Sequence, residues 1–243
     1  MHFQLIIIGR NCTDYIKACL RSVLAQTHTD WKATVCLDAP TDDSYRKAKK
    51  FTKDNRIKVH KNKKRLGVSG NLVKTIELAD PKDSDVIAIV DADDEIPSNA
   101  LEIVKKEYVK NPQLVLTYGS FKRLDKKRKT KTSRRYKNNI NIRKQDWHGS
   151  HLKTMKYSLY KHVDTSYYFK HSNGKWFQAA SDLALMFPLF DLIGVGRYPT
   201  HTKHIRKITY RWNRTQDKTR GNLQYRNKKL IHKKTPAKRL DVI

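Results

Sequence analysis

The stretch D85-V-I-A-I-V-D-A-D-D-E95 decides the architecture of this 243-residue chain. Its apolar and mostly β-branched residues 86–90 are typical of a strand that is buried on both faces of a parallel sheet. The strand leads directly into four carboxylates, those of Asp91, Asp93, Asp94 and Glu95. A helix is expected to begin shortly afterwards, near Ser98.

The acidic cluster contrasts with the rest of the chain, which has 52 Lys+Arg against 23 Asp+Glu and a net charge of +29. Crowded carboxylates repel one another unless a cation lies between them, and a hard divalent metal with oxygen ligands is a common solution. A helix N-terminus enriched in acids is the alternative interpretation. It accounts for Glu95, but less well for Asp91 and Asp93, which precede the helix. The pattern therefore favours a metal site.

Composition indicates a folded, cytoplasmic and soluble protein. The chain is 38% hydrophobic, the apolar run in residues 3–9 is too short for a signal peptide, and no run reaches the roughly 20 apolar residues that span a bilayer. The three cysteines, Cys12, Cys19 and Cys36, form no CxxC pair, which is typical of a reducing compartment. The basic balance indicates an anionic partner: nucleic acid, phosphorylated metabolites, or an anionic membrane or glycan surface.

Strands and helices alternate in the first half. Strands are predicted at 3–9, 32–38, 56–60 and 86–90. The helices between them are expected to run to about Gln26 with Asn11 or Thr13 as cap, to begin near Thr41, and to continue through Ala79 with Ser69 as cap. This pattern predicts a parallel sheet with helices on both faces. Ligands bind beyond the carboxyl ends of such strands, where Asn11, Asp38, Gly67–Asn71 and Asp91–Asp93 are expected to meet.

The second half is less regular. We expect one or two strands in 113–124, a helix in 150–163 and a strand in 205–213. We expect residues 122–144 to form a basic loop and residues 181–194 to form a core helix that is kinked or ended around Pro188.

In this order, the segments resemble glycosyltransferase family 2, whose members have the GT-A fold. L5-I-I-I-G-R-N11 resembles the family's first strand, L37-D-A-P-T-D42 its Asp-Asp-Gly-Ser-Thr-Asp turn, and R65-L-G-V-S-G-N71 its Asn-x-Gly-x-x-x-Ala-Arg-Asn segment. V90-D-A-D-D94 resembles the DxD motif, and S181-D-L-A-L-M186 the segment with the catalytic Asp. Leu37 departs from the pattern by replacing an Asp, and Asn213 stands where some members have a His near the metal.

The resemblance implies an α/β fold: a Rossmann-like mixed sheet, mainly parallel and flanked by helices. A single domain, 1–213, would combine a nucleotide-sugar-binding half (about 1–118) with an acceptor and catalytic half (119–213). Residues 214–243 would form a basic C-terminal tail. The implied activity is that of an inverting, metal-dependent hexosyltransferase, which moves a sugar from a UDP-sugar to an acceptor hydroxyl.

The resemblance also implies roles for individual residues. Asp93 would bind Mn²⁺ or Mg²⁺ on the departing diphosphate, and Asp91 would contact the ribose or the metal. Asp182 would be the general base, although capping of a helix is an alternative that does not exclude catalysis. The nucleotide-sugar site would comprise Asn11, Asp38, Gly67, Asn71, Asp91 and Ala92. Asp38 also has a plain alternative, as a turn residue before Pro40.

Trp147, His148 and His151 lie between the metal motif and the base, where acceptor sites are found in such enzymes. The acceptor would be a glycan, a protein or a lipid, and an anionic membrane surface is a further candidate partner. A basic nucleic-acid-binding protein is the main alternative, but carboxylates at strand ends would repel a polyanion. A catalytically inactive glycan-binding module on the same fold is the other.

Overall fold

The computed structural model describes residues 1–124, 133–213 and 220–242. The predicted basic loop therefore lies partly outside the described residues, as do residues 214–219 of the predicted tail. The strands are β1 Phe3–Gly9, β2 Trp31–Leu37, β3 Ile57–Lys61, β4 Val86–Asp91, β5 Leu116–Arg123, β6 Lys153–Lys156 and β7 Thr202–Trp212. The helices are α1 Ile16–Leu24, α2 Ser44–Lys49, α3 Gly67–Ala79, α4 Ala100–Lys110, α5 Tyr157–Tyr160, α6 Thr165–Tyr168, α7 Ser181–Ile193, α8 Tyr198–His201 and α9 Arg220–Lys233.

The seven strands form one sheet in the order β3-β2-β1-β4-β6-β5-β7. β1 pairs in parallel with β2 and β4, and β2 with β3. β6 runs antiparallel to both of its neighbours, β4 and β5, whereas β7 is parallel to β5. The predicted mixed and mainly parallel sheet is confirmed.

Two hydrophobic clusters cover the two faces of the sheet, and β4 contributes to both. Ile87 and Ile89 pack with α3 and α7 on one face, while Val86, Ala88 and Val90 pack with α1 and α4 on the other. This double burial explains the uninterrupted apolar run in the sequence. Each fully buried Ile, Leu or Val contributes about 1.5–3 kcal/mol relative to an exposed one.

Several predicted local features are wrong. Residues 150–163 are not one helix, because residues 153–156 form β6 between β4 and β5 and only a short helix follows. Pairing with two strands here overrides local propensity. The predicted core helix over 181–194 is confirmed as α7, which runs through Pro188 to Ile193 and so does not end there. Ser69 lies inside α3 and caps nothing, and α1 begins at Ile16 with neither Asn11 nor Thr13 as its cap.

The C-terminal residues pack against α7. Ile231 of α9 is buried in the same cluster as α7, and the Leu240 N–H donates to the Leu192 carbonyl over 2.9 Å. Arg143 and Asp191 form a buried ion pair of 2.7 Å. The Arg143 guanidinium also donates to the Ile231 carbonyl. The described part of the predicted tail is thus integrated into the domain.

Candidate active site

The carboxyl ends of β1, β2 and β4 lie side by side and carry the acidic residues. Backbone hydrogen bonds continue the ladders past the strand ends, from Asp38 N–H to the Gly9 carbonyl and from Ala92 N–H to the Ile8 carbonyl, both 2.8 Å. Ala92 is fully buried, and a Cβ at Gly9 would lie 2.5 Å from its methyl group. Gly9 therefore allows β1 to approach the acidic loop closely.

Asp38 is buried and holds the start of α3. Its Oδ1 accepts from Leu66 N–H at 2.8 Å, and its Oδ2 accepts from Gly67 N–H at 2.7 Å. Asn62 donates to the same carboxylate and to the Asn71 side chain, each over 2.9 Å. Because a carboxylate suits a helix N-terminus, this arrangement stabilises α3. Contact of Asp38 with a base or ribose remains a prediction.

Two other residues predicted for the nucleotide site are also buried. Asn71 donates to the Cys36 carbonyl over 2.9 Å and is 2% exposed. Gly67 has a φ of +81°, and a Cβ there would lie 2.2 Å from the side chain of Gln178. These buried residues therefore support the wall of the crevice from inside the protein.

Asn11, in contrast, is exposed. It has a φ of +50°, and its side-chain amide exchanges hydrogen bonds of 2.9 and 3.0 Å with Thr41. This contact joins the loop after β1 to the loop after β2, which places Asn11 at the rim.

Within the acidic loop, Asp94 differs from its neighbours. It is 1% exposed, and its Oδ1 accepts from Asn213 N–H at 2.6 Å. Burial, together with the nearby charges of Asp91 and Asp93, raises the pKa of Asp94 to about 8. The Asp91 side chain is 38% exposed, and Asp93 is also partly exposed. Asp91 and Asp93 are therefore the carboxylates that reach the crevice.

The end of β7 closes over this loop. The Tyr210 hydroxyl accepts from Asp91 N–H over 3.0 Å and donates to the Asp94 carboxylate. Glu95 and Arg211 exchange backbone hydrogen bonds of 2.8 and 3.1 Å. Asn213 thus lies beside the acidic loop, as its place in the family pattern implies, but it contacts the loop through its backbone N–H.

His151 lies against the acidic loop. Its Nε2 is 3.6 Å from Asp91 Oδ2, and its ring stacks on Tyr210 with centroids 4.4 Å apart. Burial, with a contribution from Lys153, lowers the pKa of His151 well below its usual value. The imidazole is therefore neutral at physiological pH. Its predicted contact with the acceptor is untested.

Trp147 and His148 occupy the adjoining loop. Trp147 packs edge-on against Phe187 of α7 at 6.1 Å. The buried Tyr136 hydroxyl accepts from the N–H groups of His148 and Gly149, at 2.9 and 2.6 Å. Tyr136 therefore fixes the backbone of the predicted acceptor loop.

Asp182 lies in the first turn of α7 and is partly exposed. The preceding Ala180 has a left-handed conformation with φ +64°. Asn227 of α9, itself buried, donates to the Ala179 carbonyl over 3.1 Å. The C-terminal helix thus supports the backbone that leads into Asp182.

Lys153 is a site residue that the sequence analysis missed. It is 3% exposed and pairs with Ile89 across β6 and β4. Paired residues share a sheet face, and Asp91, two residues after Ile89, lies on it as well. This is the face that α7 covers. Burial lowers the pKa of Lys153, whereas the carboxylates of Asp182, Asp91 and Asp94 raise it. A lysine in the middle of a buried strand would have been the signal, but the G-S-H-L-K-T-M segment was not recognised as a strand.

The donor set suits a divalent cation that is completed by a substrate. Among the described residues, no group of three or more His, Cys, Asp or Glu side chains is arranged to hold a metal. Asp91 and Asp93 offer hard oxygen donors, and Mg²⁺ is commonly bound by one or two carboxylates plus substrate phosphates. The residues therefore fit a metal that binds together with a diphosphate.

Comparison with known proteins identifies the family. Residues 4–173 match the sequence profile of "Glycosyl transferase family 2". The chain belongs to glycosyltransferase family 2. The match includes the acidic loop and Lys153 but stops short of Asp182.

Two curated relatives share about half of the chain. The UDP-Glc:alpha-D-GlcNAc-diphosphoundecaprenol beta-1,3-glucosyltransferase WfgD of Escherichia coli is 30% identical over 118 residues, which are 49% of this chain and 45% of that protein. The chondroitin synthase of Pasteurella multocida is 28% identical over 116 residues, 47% of this chain but 12% of that protein. The chain thus spans less than half the length of these relatives.

Solved structures show the same fold. S. aureus TarS 1–349 in complex with UDP-GlcNAc superposes with a TM-score of 0.68 at 17% identity, covering 90% of this chain and 60% of that one. The mannosyltransferase PcManGT from Pyrobaculum calidifontis, in complex with GDP-Man and Mn²⁺, gives a TM-score of 0.59 at 13% identity, covering 90% and 58%. The fold is therefore GT-A, as expected.

Within residues 1–124, 133–213 and 220–242, no helix is both long enough and apolar enough to cross a membrane.

Proposed function

We propose that the protein is an inverting, metal-dependent hexosyltransferase that moves a sugar from a UDP-sugar to an acceptor hydroxyl. One observation carries the proposal: Lys153, buried beneath the crevice, interacts electrostatically with both the acidic loop after β4 and Asp182 at the start of α7. The carboxylates suited to a diphosphate-bound metal and the carboxylate suited to a base therefore lie near one another. Family membership supports glycosyl transfer, whereas nucleic-acid binding leaves this arrangement unexplained.

UDP is the nucleotide that we propose for the donor. A relative at 30% identity carries UDP-Glc in its name, and the TarS structures include complexes with UDP and UDP-GlcNAc. PcManGT, with GDP-Man, has the lower TM-score of 0.59. The exposed Asn11 at the rim and the partly exposed Asp91 are the side chains best placed to reach the nucleoside.

Asp93 and Asp91 would hold Mn²⁺ or Mg²⁺ with the diphosphate. A divalent cation there neutralises the charge that develops on the departing UDP. Asp94 has a different task, because its buried carboxylate already bonds to Asn213 and Tyr210. It fixes the loop that presents its two neighbours.

Asp182 would accept the proton of the attacking acceptor hydroxyl. Such a base must come within about 3 Å of that hydroxyl in the reactive complex, on the face of the sugar opposite the leaving group. Its position in the first turn of α7, partly exposed and with no hydrogen bond from another described residue, leaves the carboxylate free for this contact.

Calorimetric titration of UDP, with Mn²⁺ and with a chelator, tests the donor site. We expect binding that requires the metal and is abolished in Asp93→Asn. Absence of binding under either condition would exclude UDP as the nucleotide, and GDP would then be titrated in the same way.

Turnover tests the base. For Asp182→Asn we expect kcat to fall by about 10²–10⁴-fold, the usual contribution of a general base, with UDP affinity unchanged. NMR of the product gives the anomeric configuration, and retention of configuration would contradict the inverting mechanism. UDP binding without hydrolysis or transfer for any UDP-sugar would instead favour an inactive glycan-binding module.

A further inference from the structure

A second concave surface lies along the outer edge of β7, the last strand of the sheet. It is lined by α4, by residues 133–135 and by residues 202–207, and it encloses about 1070 Å³. We call it the β7 groove. We propose that it binds the acceptor, and that this acceptor is a glycan chain carrying regularly spaced anionic groups. The inference rests on the proposed glycosyl transfer and names the acceptor class for it.

The charge of the groove carries the argument. Seven of its sixteen lining residues are Lys or Arg, against two acids. Both acids already have partners, since Glu107 lies 3.2 Å from Lys203 and Glu102 lies 3.9 Å from Lys105. Six exposed cations remain without an ion pair to another described residue: Lys106, Lys110, Arg134, Arg135, Arg206 and Lys207.

The pKa of His204, which lines the groove, is affected by the same positive charge. Its Nε2 lies 2.8 Å from the Ser133 hydroxyl. Burial lowers its pKa, and Arg206 and Arg135 lower it further. An anionic group in the groove would offset these cations, as expected of a site that is built to concentrate anions.

The lining chemistry distinguishes a glycan from other polyanions. None of the lining residues is Phe, Tyr or Trp, so the groove lacks the stacking platforms on which single-stranded nucleic acids are bound. It is concave, and of its apolar lining residues Ile205 is buried, Ile103 is half-buried and Pro199 is exposed. It therefore lacks the large exposed apolar side chains by which surfaces insert into membranes. Asn99, Ser133 and Thr202 offer hydrogen bonds of the kind that sugar hydroxyls make.

The groove leads toward the active site. Lys207 precedes Tyr210 by three residues on β7, a distance of about 10 Å along a strand. Tyr210 in turn bonds to Asp91 N–H. A chain lying along this edge can therefore place its end near the acidic loop while its anionic groups remain on the basic residues.

Binding of a defined anionic glycan tests the proposal. The test variant combines Lys106→Gln, Lys110→Gln, Arg206→Gln and Lys207→Gln. The control removes the same charge from exposed lysines at the opposite edge of the sheet, by Lys49→Gln, Lys50→Gln, Lys53→Gln and Lys58→Gln. Fluorescence anisotropy would compare labelled oligogalacturonate (carboxylates), inorganic polyphosphate (phosphates) and neutral dextran, without any donor.

We expect the groove variant to bind at least one of the two anionic chains about 10- to 30-fold more weakly than wild type, because each exposed charge contributes modestly. The control should stay within about threefold, and dextran should not bind. Equal losses in both variants, or no binding by the wild type, would overturn the proposal. Tighter binding of single-stranded DNA or of anionic vesicles, lost in the groove variant, would also overturn it in favour of another partner.

Titration of UDP with Mn²⁺ separates this test from that of the proposed function. The groove variant should bind UDP as the wild type does, since none of the four residues borders the acidic loop. If the wild type does not bind UDP, the proposed donor is contradicted. The comparison of glycan binding by the groove variant and the control still tests the β7 groove.

Discussion

The backbone N–H of Asn213 donates to Oδ1 of Asp94 over 2.6 Å, across 119 residues of sequence. The bond fastens the end of β7 to the loop that follows β4, and it explains why the third carboxylate of the acidic motif is buried. Asp94 serves as a structural anchor beside two carboxylates that face the crevice.

Substitutions at Asp94 should distinguish its structural role from the metal-binding role that is proposed for Asp93. Asp94→Asn keeps a neutral acceptor oxygen for Asn213 and should cost less than about 1 kcal/mol of unfolding free energy. Asp94→Ala removes the acceptor of both the Asn213 N–H and the buried Tyr210 hydroxyl and should cost about 1–3 kcal/mol. Urea denaturation measures both. Asp94→Asn should also retain metal-dependent UDP binding. A loss in that variant as large as in Asp93→Asn would make Asp94 a ligand.

Lys153 should be needed for activity but not for stability. Lys153→Met suits the apolar surroundings of Ile89 and Met155. Because the pKa of Lys153 is lowered overall, burial disfavours its charge more than the nearby carboxylates favour it, and removal of that charge should not destabilise the fold. We expect unchanged or higher thermal stability with about a 10- to 100-fold lower kcat/KM, the scale of one charge at a few ångströms in a protein interior. Lys153→Arg should recover part of the activity.

The matched control for this prediction is Lys156→Met, at the far end of the same strand. Lys156 donates to the Pro112 carbonyl over 3.0 Å. Burial lowers its pKa, without a contribution from any carboxylate. Unchanged kcat/KM in Lys153→Met, or an equal loss in both variants, would contradict an electrostatic role for Lys153.

The spacing of apolar residues and the order of the segments were sufficient to predict the first half of the fold. The continuous apolar runs of β1 and β4 and their alternation with helices predicted the sheet, its parallel half and the edge that carries Asp38 and Asp91. It failed at β6, because four residues, K-T-M-K, show too little alternation to distinguish a strand from a helix. Lys153 was lost with that strand.

Burial of polar residues was the second limit. The sequence shows Asp38 and Asn71 as polar residues of the predicted crevice. It does not reveal that Asp38 accepts from the Gly67 N–H or that Asn71 donates to the Cys36 carbonyl. Likewise, the C-terminal residues look like a basic tail because few of them are apolar. Ile231 and Asn227 nevertheless anchor them to α7 and to the residue before Ala180.

The buried ion pair between Arg143 and Asp191 should dominate the attachment of the C-terminal residues. Their side chains are 8% and 1% exposed, and Asp191 also accepts from Ala237 N–H. Arg143→Met leaves a buried carboxylate without its partner and should lower the free energy of unfolding by about 3–5 kcal/mol. The double variant Arg143→Met/Asp191→Leu should recover part of that loss in urea denaturation. A loss below 1 kcal/mol in the single variant, on the scale of an exposed pair, would contradict this view.

Gly67 and Gly174 offer a matched test of how the crevice wall is built. Both have positive φ, +81° and +77°, but a Cβ at Gly67 meets Gln178 at 2.2 Å whereas a Cβ at Gly174 meets nothing within 4 Å. Alanine at either site should cost about 1 kcal/mol of backbone strain, and at Gly67 the clash with Gln178 adds to it. Gly67→Ala should therefore weaken UDP binding and lower stability further than Gly174→Ala.

Because Gln178 bonds to the Leu66 carbonyl, the clash displaces the turn that bonds to Asp38. In a double-mutant cycle, Gln178→Ala should remove the excess cost of Gly67→Ala, and equal costs for the two glycine substitutions would show that this contact does not constrain the wall.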